Sequence, residues 1–581
     1  MTSVNSLFAA MAINPAVILT VGAILCVFVP SAVRRVFMLV FVAASAFELY
    51  RLGLGDYGKL TIFGEAVTML RLDPLSRIFA VVFHIAVALN IVYAWHDKNR
   101  ASAFATLAYP AAALGGVLAG DLLTLFVWWE IAAIASVFLV WAPGRRETFV
   151  AGMRYLAIQV LSGVLLLAGI VLLFYETGSL AFDGIGLRDS TGAIRASGVL
   201  MLVAFGIKAA FPLLHNWVQD AYPKSSISGT IVLSVFTTKL AVYALARGFA
   251  GTEALIYIGT VMTLFPIFFA LIENDLRKVL SYSINNQIGF MVVGIGIGTA
   301  SSLNGAVGYA FANIIFESLL FMAVGAAMFR TGTAKATELG GLYRTMPATM
   351  IFCVIGALSI SAFPFFAGFV VKGLIVDGVA EAHLFVVWLA LLFASAGVLE
   401  HAGIKIPYFT FFAHDSGKRP KEAPLPMLAA MAISAVLCIG IGVYPDPLYA
   451  LLPDQRAILD YEPYAAAHVV EYLQLLLWAV LAFAVLILTR WYPAEIRATN
   501  LDVDWVWRVA GRGLLGWMTG AARGIWGLAA RLAGARARHL AARVHAVHGP
   551  EGQLARSWPI GFMALWTAVV LGLALVLAFI A

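Results

Sequence analysis

Five ionisable side chains stand where a membrane-spanning segment tolerates them least. Lys208 in "FGIKAAFPLLHNW" (205–217), Lys239 in "TTKLAVYALAR" (237–247) and Lys372 in "SAFPFFAGFVVKG" (361–373) lie inside long apolar runs. So do Glu130 in "LFVWWEIAAIASVFLVW" and Glu317 in "ANIIFESLLFMAVG". An ionisable group at the bilayer centre costs at least roughly 2.5–3.5 kcal/mol on insertion scales, so each needs a partner, water or a task. Helices can be joined at lower cost by Ser, Thr or Asn. Burial and a neighbouring carboxylate pull a lysine's hold on its proton in opposite directions, so small rearrangements load or release it. The chemistry these five residues offer is a row of exchangeable protons across the middle of a membrane.

Two prolines bear on how such residues are held. Pro212 follows Lys208 by one helical turn, and Pro364 precedes Lys372 by two. Each removes a backbone donor and breaks the helical ladder, leaving carbonyls and half-helix ends free to orient ions or water. Broken helices at matching places in two halves of a chain point to inverted repeats with a transport site between them.

The composition sets the solvent. The chain has 581 residues, 62% of them hydrophobic and only 12% charged, and its mean hydropathy is +0.92. That is an integral membrane protein, since soluble domains are about 25% charged. Its net charge of +7 does not signal nucleic acid, because the basic residues are scattered over loops rather than gathered in a stripe. Three cysteines without CxxC or Cys/His spacing supply neither a disulfide framework nor a metal or iron–sulfur site. No phosphate loop or dinucleotide fingerprint stands in a fitting context, so no cofactor is expected, and any redox chemistry would belong to a partner. The first apolar run lacks a basic flank of the signal-peptide kind.

About sixteen runs are long enough to cross the hydrocarbon as helices, among them 122–142, 196–215, 225–246, 303–329, 347–372, 383–404 and 558–580. Lys and Arg, Lys405 included, concentrate in the loops after odd-numbered runs. The positive-inside rule makes those loops cytoplasmic and turns both termini the other way, in a bacterial-type inner membrane.

Five stretches together resemble one family. They are "DLLTLFVWWE" (121–130), "FGIKAAFPLLHNWVQDAYP" (205–223), Lys239 in its run, "DLRKVLSYSINNQIGF" (275–290) and "GALSISAFPFFAGFVVKG" (356–373). In order and spacing, over roughly residues 70–445, they are similar to the antiporter-like subunits. That family holds the A-type and D-type subunits of Mrp cation/proton antiporters, the proton-pumping membrane subunits of respiratory complex I, and relatives in membrane-bound hydrogenases. The resemblance implies an all-α polytopic fold: a fourteen-helix core with two inverted five-helix repeats and broken helices 7 and 12. It implies segments 1–100 (helices 1–3), 101–250 (first repeat), 251–412 (second repeat) and 413–490 (helices 14 and 15). By position Glu130 resembles the family's helix-5 glutamate, which pairs with the helix-7 lysine, here Lys208. Lys239 resembles the helix-8 lysine, and Lys372 the residue that ends the path.

Two departures stand out. The family's helix-11 histidine and lysine are replaced by Asn313 and Glu317. Asn carries no proton and Glu reverses the charge. Either the relay is rewired through Glu317 between Lys239 and Lys372, or proton passage is interrupted. Phe365 replaces the second proline of the family's "PPF", which alters the helix-12 break without removing it.

The function implied is a proton-translocating subunit of a multi-subunit antiporter exchanging Na⁺ or K⁺ for protons, with other membrane subunits as partners. The alternatives are the proton-pumping subunit of a complex I-like NADH:quinone oxidoreductase or hydrogenase complex, with its chemistry in other subunits, and a membrane partner in inorganic carbon uptake. Downstream, 505–548 holds seven arginines, three histidines and no acid. Its apolar residues recur at three- and four-residue spacing, as in an amphipathic helix lying on the cytoplasmic lipid surface within 491–557. The segment 558–581 then reads as an anchor.

Overall fold

The computed structural model describes residues 13–62, 64–189, 191–459, 461–493, 495–496, 500–552 and 559–580. Residues 1–12 and 553–558, parts of the segments expected at 1–100, 491–557 and 558–581, lie outside them. Contacts divide the chain into two units, 1–500 and 501–581.

The first unit opens with helices α1 (Pro15–Cys26) and α2 (Ser31–Arg51). An antiparallel hairpin follows, β1 (Gly55–Ile62) with β2 (Glu65–Leu72), where the helical reading of the chain had only a loop. Asp73 then starts α3 (Pro74–Tyr93) with a reciprocal capping box to Ser76.

The next segment holds α4 (Arg100–Val117), α5 (Leu122–Trp141), α6 (Arg146–Thr177), α7 (Ala196–Lys208), the short α8 (Asn216–Ala221) and α9 (Ile227–Gly248). After it come α10 (Glu253–Ile272), α11 (Leu276–Ile297), α12 (Ala300–Thr331), α13 (Pro347–Ile360), α14 (Phe369–Glu381) and α15 (Phe385–Phe412). Helices α16 (Leu425–Val443) and α17 (Ala466–Leu488) complete the unit.

The two six-helix segments repeat one another in detail. Asp121 caps α5 by accepting from the Thr124 N–H at 2.8 Å, and Asp275 caps α11 by accepting from the Arg277 N–H at 2.9 Å. The N–H groups of Leu122 and Leu276 reach across to the carbonyls of Leu180 and Ala334, at 3.0 and 2.9 Å. Helices α6 and α12 are both 32 residues long. Each stops at a glycine in the left-handed region, Gly178 at φ 66° and Gly332 at φ 80°, where a side chain would be strained.

The breaks match as well. Helix α7 ends before Pro212, with Ala210 and Leu213 at φ 61° and 71°; α13 ends before Pro364, with Ala362 and Phe365 at φ 56° and 73°. The Phe211 N–H reaches the Gly206 carbonyl at 2.9 Å, and the Phe363 N–H reaches that of Leu358 at 3.0 Å. Phe365 therefore keeps the backbone path of the break although it is not a proline.

Among the described residues, ten helices are long and apolar enough to cross a membrane, and α1, α7 and α13 are shorter apolar helices. The molecule is thus a mostly helical, multi-pass membrane protein. Helix α9 is buried on every side and α12 nearly so, which puts the helices carrying Lys239 and Glu317 at the centre. The second unit contains α18 (Val503–His548), 46 residues long and almost wholly exposed, and α19 (Ile560–Ile580), apolar throughout.

Candidate functional site

Lys208 is the last residue of α7, placed there because the Pro212 break stops the helix. It is buried, and its Nζ donates to the Trp129 carbonyl at 2.8 Å. The same amine lies 4.2 Å from the Trp129 ring centre, a cation–π contact. The Trp129 Nε1–H donates to Ser162 Oγ at 3.0 Å, and Ser162 donates to the Ala204 carbonyl at 2.8 Å, which fixes α5, α6 and α7 together. Glu130, the next residue on α5, is the charged group whose field reaches Lys208. Its Oε1 is buried and accepts no hydrogen bond among the described residues. Lys208 and Glu130 therefore face one another through space, with the amine held by the peptide carbonyl that precedes the acid.

Gly163 explains how a carboxylate fits there. A Cβ at 163 would occupy the place of the Glu130 carboxyl group. The absence of a side chain on α6 is what lets α5 carry the acid.

Lys239 and Glu317 form an ion pair in the packed centre, Nζ to Oε2 at 3.4 Å, with both side chains 1% exposed. Lys239 also donates to the Ser234 carbonyl at 2.9 Å. The second carboxylate oxygen of Glu317 is buried, with the Asn313 amide beside the carboxylate from one turn earlier on α12. This pair joins α9 of the first repeat to α12 of the second.

Lys372 sits on α14, beyond the second break, fully buried. Its Nζ finds no hydrogen-bond acceptor among the described residues and lies 4.2 Å from the Phe290 ring centre. The structure thus sets Lys208 within electrostatic reach of Glu130 and brings Lys239 into contact with Glu317, but leaves Lys372 separate. Helix α11 carries five fully buried polar residues, Ser281, Ser283, Asn285, Asn286 and Gln287. Ser283 Oγ and both amide atoms of Asn285 lack partners among the described residues. Each such group costs about 1–3 kcal/mol when left dry.

The sequence reading missed one lysine. Lys405, expected in a cytoplasmic loop after 383–404, is instead buried inside α15. The helix does not end at 404, because it loosens into π-helical turns at Leu399–Ile404 and Tyr408–Phe412 and so extends to 412. Lys405 donates to the carbonyls of Ala270, Leu271 and Glu273 at 3.1, 2.6 and 2.9 Å and pairs with Glu495 at 2.7 Å. Among the described residues, no cluster of three or more metal-ligating side chains stands close enough to hold an ion.

Residues 119–397 match the family model described as NADH:quinone oxidoreductase/Mrp antiporter, transmembrane. The chain is 30% identical over 371 residues to the D-type subunit of a Na(+)/H(+) antiporter from Alkalihalophilus pseudofirmus, covering 60% of this chain and 73% of that one. In fold it superposes on the Mrp complex of Dietzia sp. DQ12-45-1b with a TM-score of 0.76 at 22% identity, over 91% of this chain and 62% of the Mrp chain. This chain therefore spans less than two thirds of that larger relative. It also superposes on the membrane-bound sulfane sulfur reductase, an archaeal respiratory membrane complex, with a TM-score of 0.69 at 23% identity, over 97% and 99% of the two chains. Helices, repeats and matched sequence agree: the chain belongs to the NADH:quinone oxidoreductase/Mrp antiporter family of membrane subunits.

Proposed function

We propose that the chain is the proton-translocating subunit of a multi-subunit cation/proton antiporter, coupling proton flow to exchange of Na⁺ or K⁺. Protons move along the row Glu130, Lys208, Lys239, Glu317 and Lys372, with water at the unpartnered polar groups between the stations. The observation that carries this reading is the buried Lys239–Glu317 pair, which links the two repeats where a hydrophobic contact would serve stability as well or better. It favours the rewired path through Glu317 over an interrupted one. The repeats stand in opposite senses across the membrane, so that the two proline breaks, Pro212 and Pro364, open toward opposite sides. Other membrane subunits surround the core, and α18, with its arginines, lies against anionic headgroups.

The test is ion-driven acidification in vesicles holding the assembled complex. Lys208→Ala and Glu130→Ala each abolish it if the row conducts protons, and wild-type acidification in both variants defeats the proposal. A second reading, in which redox chemistry in partner proteins drives the same proton path, draws on the end-to-end likeness to the sulfane sulfur reductase complex. Flavin or iron–sulfur subunits that co-purify with this chain would decide for it.

A further inference from the structure

Beyond Lys372 lies a group that the row does not use. His401 sits on the first π-helical stretch of α15 and is fully buried. Its Nδ1 is 2.6 Å from the Gly397 carbonyl, which can only accept, so the neutral ring carries its hydrogen on Nδ1. That leaves Nε2 as a bare lone pair, buried, with no partner among the described residues. A histidine held in this form is ready to take a proton at one defined atom.

The charged groups facing the ring are Lys405, one turn on, and Lys372 of α14. The π stretch also lies on the second helix break, since a Cβ at Gly403 would run into Ser361 Oγ. π-Helical turns inside an α-helix recur at functional sites, where the widened turn moves side chains out of the regular ladder. On its far side Lys405 meets Glu495, and Glu495 lines a cavity of about 370 Å³ with Tyr408, His414, Arg490 and Tyr492. Burial pushes the Glu495 carboxyl above the usual carboxylate range, and Lys405 pulls it partly back.

The first repeat has the same spacing with different chemistry. Helix α9 ends with Tyr243 and Arg247 four residues apart, as His401 and Lys405 are. Arg247 is clamped by Asp73 at 2.6 Å and Asp183 at 3.0 Å, and its Nε donates to the Tyr243 hydroxyl at 2.9 Å. A guanidinium does not release its proton and a tyrosine does so only in strong base, so that end of α9 is fixed. At the corresponding turns of α15, His401 and Lys405 can both exchange protons.

We propose that His401 carries protons between Lys372 and the cavity beside Glu495, with the Lys405–Glu495 pair as its electrostatic gate; this rests on Lys372 being a station of the relay. The transfer conserves charge: Lys372 loses a proton and becomes neutral as His401 Nε2 gains it, and the imidazolium then passes that proton from Nε2 to water leading to the cavity. Two ammonium groups face the ring, so it accepts a third charge only while Lys372 is neutral and Lys405 is paired. Protonation of Glu495 removes the carboxylate in contact with Lys405; Glu273, itself paired with Lys278, and Glu400 also face this amine but make no ion-pair contact with it, so its charge is less compensated and the path closes. Falling pH in the cavity therefore shuts this mouth, and rising pH opens it.

The experiment compares proton-coupled transport in vesicles holding the assembled complex for the wild type, His401→Gln, Glu495→Gln and Lys208→Ala, from pH 6 to pH 9. Glutamine keeps a donor for the Gly397 carbonyl but cannot carry a proton, and co-purification with partner subunits reports whether each variant assembles. The expected result is a loss of at least about tenfold in His401→Gln at every pH. Glu495→Gln, which mimics the closed state, should be low throughout and lose the rise with pH. Loss in Lys208→Ala with wild-type transport in His401→Gln overturns the outlet and leaves the relay standing. Wild-type transport in both overturns the relay itself. A pH profile unchanged in Glu495→Gln removes the gate. If His401→Gln does not assemble, His401→Asn takes its place, and the same outcomes decide.

Discussion

The two repeats share a backbone and differ in where they keep their acid. Positions correspond 154 residues apart along the first three helices, as Asp121 does to Asp275 and Gly178 to Gly332. In that register Glu130 corresponds to Ile284 and Gly163 to Glu317, while Gln159 corresponds to Asn313. The first repeat presents its carboxylate from α5, into space that Gly163 leaves open on α6. The second presents it from the α6 counterpart, α12, and keeps an apolar residue on α11. One scaffold thus carries a buried carboxylate on either of two neighbouring helices, Glu130 on α5 and Glu317 on α12. Glu130 is spaced from Lys208, whereas Glu317 is in contact with Lys239. The second arrangement also joins the two repeats at the centre of the bundle.

Breaking that contact should have the largest effect. Lys239→Met leaves Glu317 buried without its ion pair and should lower stability in detergent by roughly 3–5 kcal/mol. The double variant Lys239→Met/Glu317→Leu should recover most of the loss, because the buried charge is gone. A double variant no more stable than the single one would show that the pair does not hold the helices. In the first repeat, Gly163→Ala tests the open space: the added methyl displaces a flexible side chain, so folding should change little. Ion-driven acidification should nevertheless fall about tenfold as the Glu130 carboxyl moves, equal to about 1.4 kcal/mol at the rate-limiting step. Unaltered transport would mean that the position of this carboxylate does not matter.

The breaks offer the smallest and sharpest contrast. Leu213 and Phe365 both hold positive φ, which costs a side-chain-bearing residue roughly 1–2 kcal/mol. Leu213 is 58% exposed, so Leu213→Gly should raise the unfolding temperature slightly, by up to about 1 kcal/mol in stability. Phe365 stacks on Tyr464 with ring centres 5.7 Å apart, so Phe365→Gly should gain nothing. Equal shifts in the two variants would show that the ring contact contributes nothing.

Much of this was legible in the sequence because membrane helices are written in long apolar runs. Buried Lys208, Lys239 and Lys372 stood out as charges inside such runs, and Pro212 and Pro364 marked the breaks. What stayed hidden followed other rules. Lys405 lies past the apparent end of its run, and no 3.6-residue periodicity reveals a helix prolonged by π turns. The 55–72 hairpin is short, with Val67, Leu70 and Leu72 buried, and it is tied to the bundle by contacts such as the Thr68 N–H to Asp121 Oδ2 at 2.7 Å. His401 reads as an ordinary apolar-helix histidine until its neighbours in space are known.

In the proposed relay, Glu317 is the step that joins the first repeat to the second. Proton-coupled ion transport by the assembled complex carrying Glu317→Gln probes that passage head-on, since glutamine keeps the shape and the hydrogen bonding but holds no exchangeable charge. A relay through Glu317 loses at least about tenfold in rate with the complex still assembled. Transport at the wild-type rate would mean that protons cross without it.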